Sequence, residues 1–169
     1  VERVLGVTLT PDQCGRDGCS IPTWGAPLVN FASAFAKLSA GSNQLSAIDA
    51  RAGERLFAAA GSNAELESGT GGFETDAMNA FAGQLMVKIG ADGVFCGAIR
   101  GRNLGFALKC DDGNKDASEA MVAALIKNAT PTNDAQNTAL DARLHKTAKN
   151  WRGFEVGHHQ ASKIWAQYF

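Results

Sequence analysis

The sequence has no long apolar run. Its longest apolar stretches fall well short of the roughly 18–20 residues that cross a bilayer as a helix, so no membrane span is expected. It has no excess of one charge. Sixteen Lys and Arg stand against 17 Asp and Glu, a net charge of -1, which gives no electrostatic reason for nucleic acid or an anionic membrane as partner. It has no Cys-x-x-Cys among its four cysteines, Cys14, Cys19, Cys96 and Cys110, which removes zinc-ribbon and thioredoxin-type redox readings. No Gly-x-Gly-x-x-Gly follows a strand-like run, and the one Gly-rich segment lacks a P-loop lysine, so a dinucleotide-binding fold is excluded. A basic start followed by an apolar run is also missing, and the expected location is the cytoplasm. The chain opens at Val1 rather than methionine, as a fragment or a processed chain does.

What is present suits one compact unit, or part of one. The 169 residues are 45% hydrophobic and 20% charged, ordinary values for a globular domain and sufficient for a core without disulfide staples. Cys96 and Cys110 fall in strand-like apolar runs and read as small buried hydrophobes.

Periodicity gives the expected element order. Val4 to Leu9 alternates as a half-buried strand does. A turn-rich loop over 11–19 follows. Pro27 opens a helix whose Leu28, Phe31, Ala32, Phe35 and Leu38 repeat at helical spacing up to a stop at Gly41. A second helix is expected over Ile48 to Ala60, with Ile48, Leu56 and Phe57 inward and Gly61 as its stop. Glu67 to Gly72 carries three glycines in four positions and is expected to be irregular. Thr75 would cap a short helix through Phe81.

Gln84 to Ile89, Val94 to Ile99 and Leu104 to Cys110 read as strands joined by short, turn-rich connectors, hence an antiparallel meander. A helix follows with Ala117, Ala120, Met121, Ala124 and Leu125 on one face. Asn128 to Thr138 reads as a loop, Leu140 and Leu144 as a short helix, Trp151 to Val156 as a last strand, and Lys163 to Phe169 as an aromatic tail. The layout is α+β, an antiparallel sheet flanked by helices.

Several residues are candidates for chemistry. Lys88 ends an apolar strand. It is either a solvated lysine or a cation at a cleft, holding a substrate carboxylate or assisting proton transfer. Lys-x-Gly on a strand beside the active site recurs in the serine β-lactamase and penicillin-binding fold. Cys14 and Cys19 lie near Asp12 and Asp17; thiolates beside carboxylates suit zinc, or the pair are plain loop cysteines. The Gly69-Thr70-Gly71-Gly72 loop offers unhindered N–H groups for an anion or an oxyanion, or is a tight turn. His145, His158 and His159 have no ligand spacing, and His158-His159 reads as a solvated pair. A cysteine-based enzyme would need a base near Cys14 or Cys19, and no histidine is close in sequence.

Three stretches taken together resemble one family. They are Asp12-Gln13-Cys14-Gly15-Arg16-Asp17-Gly18-Cys19-Ser20-Ile21-Pro22, then Ser68-Gly69-Thr70-Gly71, then Lys88-Ile89-Gly90-Ala91-Asp92-Gly93-Val94-Phe95-Cys96 running on to Gly105 through Gly113. Their order and spacing resemble the L-asparaginases typified by the inducible Rhizobium etli enzymes, and Asn150 to Gly157 resembles that family's C-terminal strand. The match reaches about Gly157, leaving 158–169 as a tail. The resemblance implies a serine β-lactamase-like fold, incomplete here, and hydrolysis of L-asparagine to L-aspartate and ammonia by a homodimer. It implies that Lys88 is catalytic, that Cys14 is one zinc ligand, that Asp12 lies near metal and substrate, and that Gly69, Thr70 and Gly71 line the substrate pocket.

Two departures stand out. The family's Ser-x-x-Lys is absent from these residues; Ser33 to Lys37 is one residue too long. The nucleophile and the remaining zinc ligands are therefore expected from an N-terminal half. Some members also carry a cysteine where this chain has Glu74. The competing expectation is a catalytically silent α+β module that binds a metal or a partner.

Overall fold

The computed structural model describes residues 1–40 and 44–162. In chain order the helices are α1 (Glu2–Leu5), α2 (Leu28–Ala40), α3 (Ala47–Ser62), α4 (Ala64–Ser68), α5 (Phe73–Ala80), α6 (Lys115–Ala129) and α7 (Asp134–Leu144). The strands are β1 (Cys14–Arg16), β2 (Pro22–Trp24), β3 (Leu85–Ile89), β4 (Val94–Ile99), β5 (Leu104–Lys109), β6 (His145–Lys149) and β7 (Glu155–Gln160). All pairings are antiparallel: a β3-β4-β5 meander and two separate hairpins, β1-β2 and β6-β7. The α+β expectation holds, and the meander stands where the short connectors required it.

The meander is covered on both faces. On one side α2 lies directly on β4 and β5, with α3 against α2. Gly105 makes that approach possible, because a Cβ there would sit 2.0 Å from the Ala32 carbonyl oxygen and 2.5 Å from the Ala36 nitrogen. On the other side α5, α6 and α7 close over Leu85, Val87, Phe95, Phe106 and Leu108. Phe73 and Phe95 meet edge to face, with ring centroids 6.1 Å apart, a favoured aromatic geometry.

Side-chain caps start the long helices. Ser46 Oγ accepts from the Asp49 N–H, and Asn114 Oδ1 accepts from the Ala117 N–H. Asn133 and Gln136 form a reciprocal capping box on α7, satisfying donors that the helix itself leaves open.

Several expectations fail, each for a visible reason. Val4 to Leu9 is not a strand, since α1 takes its first residues and only Leu5 is buried. The loop over 11–19 contains a 3-10 turn and β1, paired with β2. Ile48 and Leu56 are 71% and 60% exposed, and only Phe57 of the expected trio turns inward. Helix α3 runs past Gly61 to Ser62. Glu67 and Ser68 are helical, within α4. Gly72 takes the cap position of α5, while Thr75 lies inside the helix and donates to the Ala64 and Gly69 carbonyls. Helix α7 begins at Asp134, inside the expected loop. Trp151 to Phe154 forms the turn between β6 and β7 rather than a strand. The stop at Gly41 and the tail over 163–169 lie outside the described residues. Among the described residues no helix is long and apolar enough to cross a membrane.

Candidate active site

Lys88 sits on β3, an edge strand of the meander, opposite Cys96 of β4. Alternation along the strand sends Leu85 and Val87 into the core and Lys88 to the other side. Its Nζ donates to the Ile89 carbonyl at 2.9 Å and lies 3.5 Å from Glu67 Oε1. Its side chain remains 46% exposed, so the strand lysine reaches a surface.

Glu67 belongs to α4, the helix that runs into the glycine loop. That loop is shaped by two residues with left-handed backbone, Gly69 (φ 79°) and Gly71 (φ 73°), a conformation that a side chain disfavours. The Gly69 carbonyl accepts from Thr75 Oγ1 at 2.7 Å and from the Gly72 N–H at 3.3 Å. The Gly71 carbonyl accepts from Arg143 Nη2 at 3.1 Å. Thr70 Oγ1 donates to Glu65. Among the described residues the N–H groups of Thr70 and Gly71 donate to nothing. The loop thus presents two open donors, and the helix that leads into it meets Lys88 through Glu67.

Asp12 and Cys14 occupy a second region. Asp12 is exposed in the 3-10 turn and Cys14 is half-buried at the start of β1. The hairpin walls a cavity of about 750 Å³ with Trp24, Leu28 and Phe31 on its apolar side, and the Gly90-Ala91-Asp92 turn closes its far wall. That turn follows Lys88 in the chain, so both regions flank the end of β3.

A zinc centre needs three or four donors converging on one point. Among the described residues no three His, Cys, Asp or Glu are so arranged. Cys14 Sγ lies 3.5 Å from the Gly15 carbonyl, and Cys19 Sγ lies 3.9 Å from Asp17 Oδ2. These residues alone do not fit zinc.

Of the two cysteines expected to be buried, Cys110 is buried and Cys96 is half-buried. Burial pushes the Cys96 thiol up to about 11. Cys110 is buried and its thiol donates to Asp112 Oδ1 at 3.1 Å, the hydrogen bond that mainly raises its pKa. Only His158 of the histidine pair is exposed; His159 is half-buried, with Nδ1 buried and unpartnered.

Sequence reasoning missed a buried charged cluster behind the loop. Glu74 and Glu119 are 1% and 5% exposed. Glu74 Oε2 accepts from Ser68 Oγ at 2.7 Å. Glu119 lies 3.3 Å from Arg143 Nε and 3.6 Å from Lys115 Nζ. Burial pushes the Glu119 carboxyl above its ordinary value of 4.5; Arg143 and Lys115 pull it back, while Glu74 and Asp116 add to the rise. A Lys-x-x-x-Glu pair on a helix reads as a solvated face, which is why Glu119 gave no signal.

The family model for L-asparaginase II matches residues 1–161. The chain belongs to the L-asparaginase II family. No curated protein matches it. Membership in the L-asparaginase II family points to an amide hydrolase with asparagine as substrate, and it bears on both flanks of β3, since the match runs through the hairpin, the glycine loop and the meander alike.

Proposed function

We propose that this chain is the substrate-side half of a Rhizobium etli-type asparaginase with a serine β-lactamase-like fold, hydrolysing L-asparagine to L-aspartate and ammonia. The observation that carries the reading is the Lys88–Glu67 pair, which ties the strand lysine to the helix entering the glycine loop within a chain matched along 1–161 by the asparaginase model.

In this reading the open N–H groups of Thr70 and Gly71 bind the carboxylate end of the substrate, with Gly69 supplying the turn. Lys88 stands beside the reacting amide and stabilises negative charge as it develops there. Asp12 binds the positively charged amino group of the substrate. A serine hydroxyl from an N-terminal half attacks the side-chain amide carbon. Its proton goes to the leaving ammonia, and water then releases L-aspartate. Cys14 is a single zinc donor whose partners come from that other half, and no step depends on the metal. The resemblance also makes a homodimer the working assembly.

The test is ammonia release from L-asparagine, by this chain alone and mixed with the N-terminal half. Activity confined to the mixture, abolished by Lys88→Ala, supports the reading. Activity of the chain alone means another nucleophile and sinks the mechanism. Silence in both, with a folded mixture, favours a silent module that binds a metal or a partner.

A further inference from the structure

The buried cluster behind the glycine loop is costly, since two carboxylates leave water there, and Arg143 from that cluster and the neighbouring Thr75 each hold a carbonyl of the loop. Thr75 from α5 holds the Gly69 carbonyl at 2.7 Å. Arg143 from α7 holds the Gly71 carbonyl at 3.1 Å. In a trans peptide the carbonyl and the following N–H point opposite ways. Fixing the Gly69 carbonyl inward therefore turns the Thr70 N–H outward. Fixing the Gly71 carbonyl locks the next peptide plane but one, and the Thr70–Gly71 peptide is left clamped between two fixed planes.

Arg143 is itself fixed. Glu119 from α6 lies 3.3 Å from its Nε, and Asp76 from α5 accepts from Nη2 at 3.2 Å. The contact at Nε has the geometry of an ion pair without a closed hydrogen bond. On the other side of the loop, Ser68 is held by buried Glu74 at 2.7 Å. A Cβ at Gly72 would lie 2.6 Å from Ser68 Oγ, so the loop's return is packed against that serine.

We infer that Arg143, held by Glu119, is a positioning residue for substrate binding: it clamps the Gly71 carbonyl so that the Thr70 and Gly71 amides stay aimed at the substrate carboxylate. The inference rests on the reading of the loop as the substrate side. Arg143 touches no substrate; it acts through the loop, and a lysine in its place keeps the charge but loses the planar fork that serves several acceptors at once.

Hydrogen–deuterium exchange of the Gly69–Gly72 segment tests this in the chain as it stands, independently of activity. Losing a charge-assisted hydrogen bond in Arg143→Met should speed exchange of the hydrogen-bonded Gly69 and Gly72 amides about tenfold or more, with Arg143→Lys intermediate. Lys127→Met breaks the ion pair from α6 to Asp141 of α7 away from the loop and should leave the loop unchanged. In the enzyme completed by its N-terminal half, Arg143→Met should raise KM for L-asparagine with kcat nearly unchanged, as loss of uniform substrate binding does.

Loop exchange at the wild-type rate in folded Arg143→Met overturns the inference, as does a rise spread evenly over α6 and α7, or a fall in kcat alone. Should Arg143→Met not fold, Arg143→Lys carries the same comparison. A completed wild-type enzyme that leaves L-asparagine intact sinks the asparaginase reading, while the exchange comparison still decides whether Arg143 clamps the loop.

Discussion

Lys88 Nζ lies 3.5 Å from Glu67 Oε1, so a strand of the sheet is joined electrostatically to the short helix that delivers the glycine loop. The two residues sit on different elements, and the ion pair is what joins the end of β3 to α4. The pair is partly open to water, where such contacts contribute little to stability and much to where a side chain points.

Lys88→Met should therefore separate stability from chemistry. The expected change in unfolding free energy is within about 1 kcal/mol. The expected loss of asparagine hydrolysis in the completed enzyme is about 100-fold or more. Urea titration and ammonia release on the same preparation check both. A large stability loss with activity retained would reverse the assignment.

Glu119 predicts a pH dependence of stability. Its carboxyl is raised above 4.5 by burial, so the folded state favours the protonated form. The stabilisation from that proton is complete below the unfolded value and fades as pH rises through the raised folded value. Glu119→Gln does not titrate. Relative to wild type it should gain stability between pH 4 and pH 7, although it gives up the contacts to Arg143 and Lys115. Urea midpoints at the two pH values measure this, and a variant midpoint that falls relative to wild type as pH rises would contradict it.

Gly105→Ala should be among the most damaging single-methyl changes. The added carbon would press on the backbone of α2 at 2.0 Å, which no rotamer change relieves. The expected cost is about 3 kcal/mol or more, seen as a lowered melting temperature. Gly18→Ala, with nothing within 4 Å, is the matched control and should unfold like wild type.

Thiol labelling should follow exposure. Cys19 is exposed and should react first, with half-buried Cys14 next. Cys96, raised to about 11, and buried Cys110 should stay unlabelled until the fold opens. Mass spectrometry after a brief alkylation gives the order directly, and early labelling of Cys110 would mean that the β5–α6 junction opens.

Most of the central fold was legible in the sequence, because the meander combines period-2 apolar runs with connectors too short for any other pairing. The helix over 115–129 was legible from its apolar repeat. Short elements were not. The hairpin of Cys14–Arg16 with Pro22–Trp24 has three residues a side, too few to show alternation. Ile48 and Leu56 carry the right residue types for a core and face water all the same, since α3 packs mainly on α2 through Gly53 and Phe57.

The candidate site divides the same way. Lys88 and the glycine loop announce themselves through strand alternation and glycine density. Arg143 and Glu119 do not, because what matters in them is the carbonyl and the guanidinium they meet across the fold.

The position of Lys88 on an outer strand has a second effect. Along such a border the backbone donors and acceptors invite a strand from another molecule, and a lysine there discourages it through the cost of stripping its charge of water. One side chain would then serve both reactivity and solubility. Any replacement made to silence the enzyme also removes a guard against edge-to-edge assembly, so light scattering belongs beside every assay of such a variant.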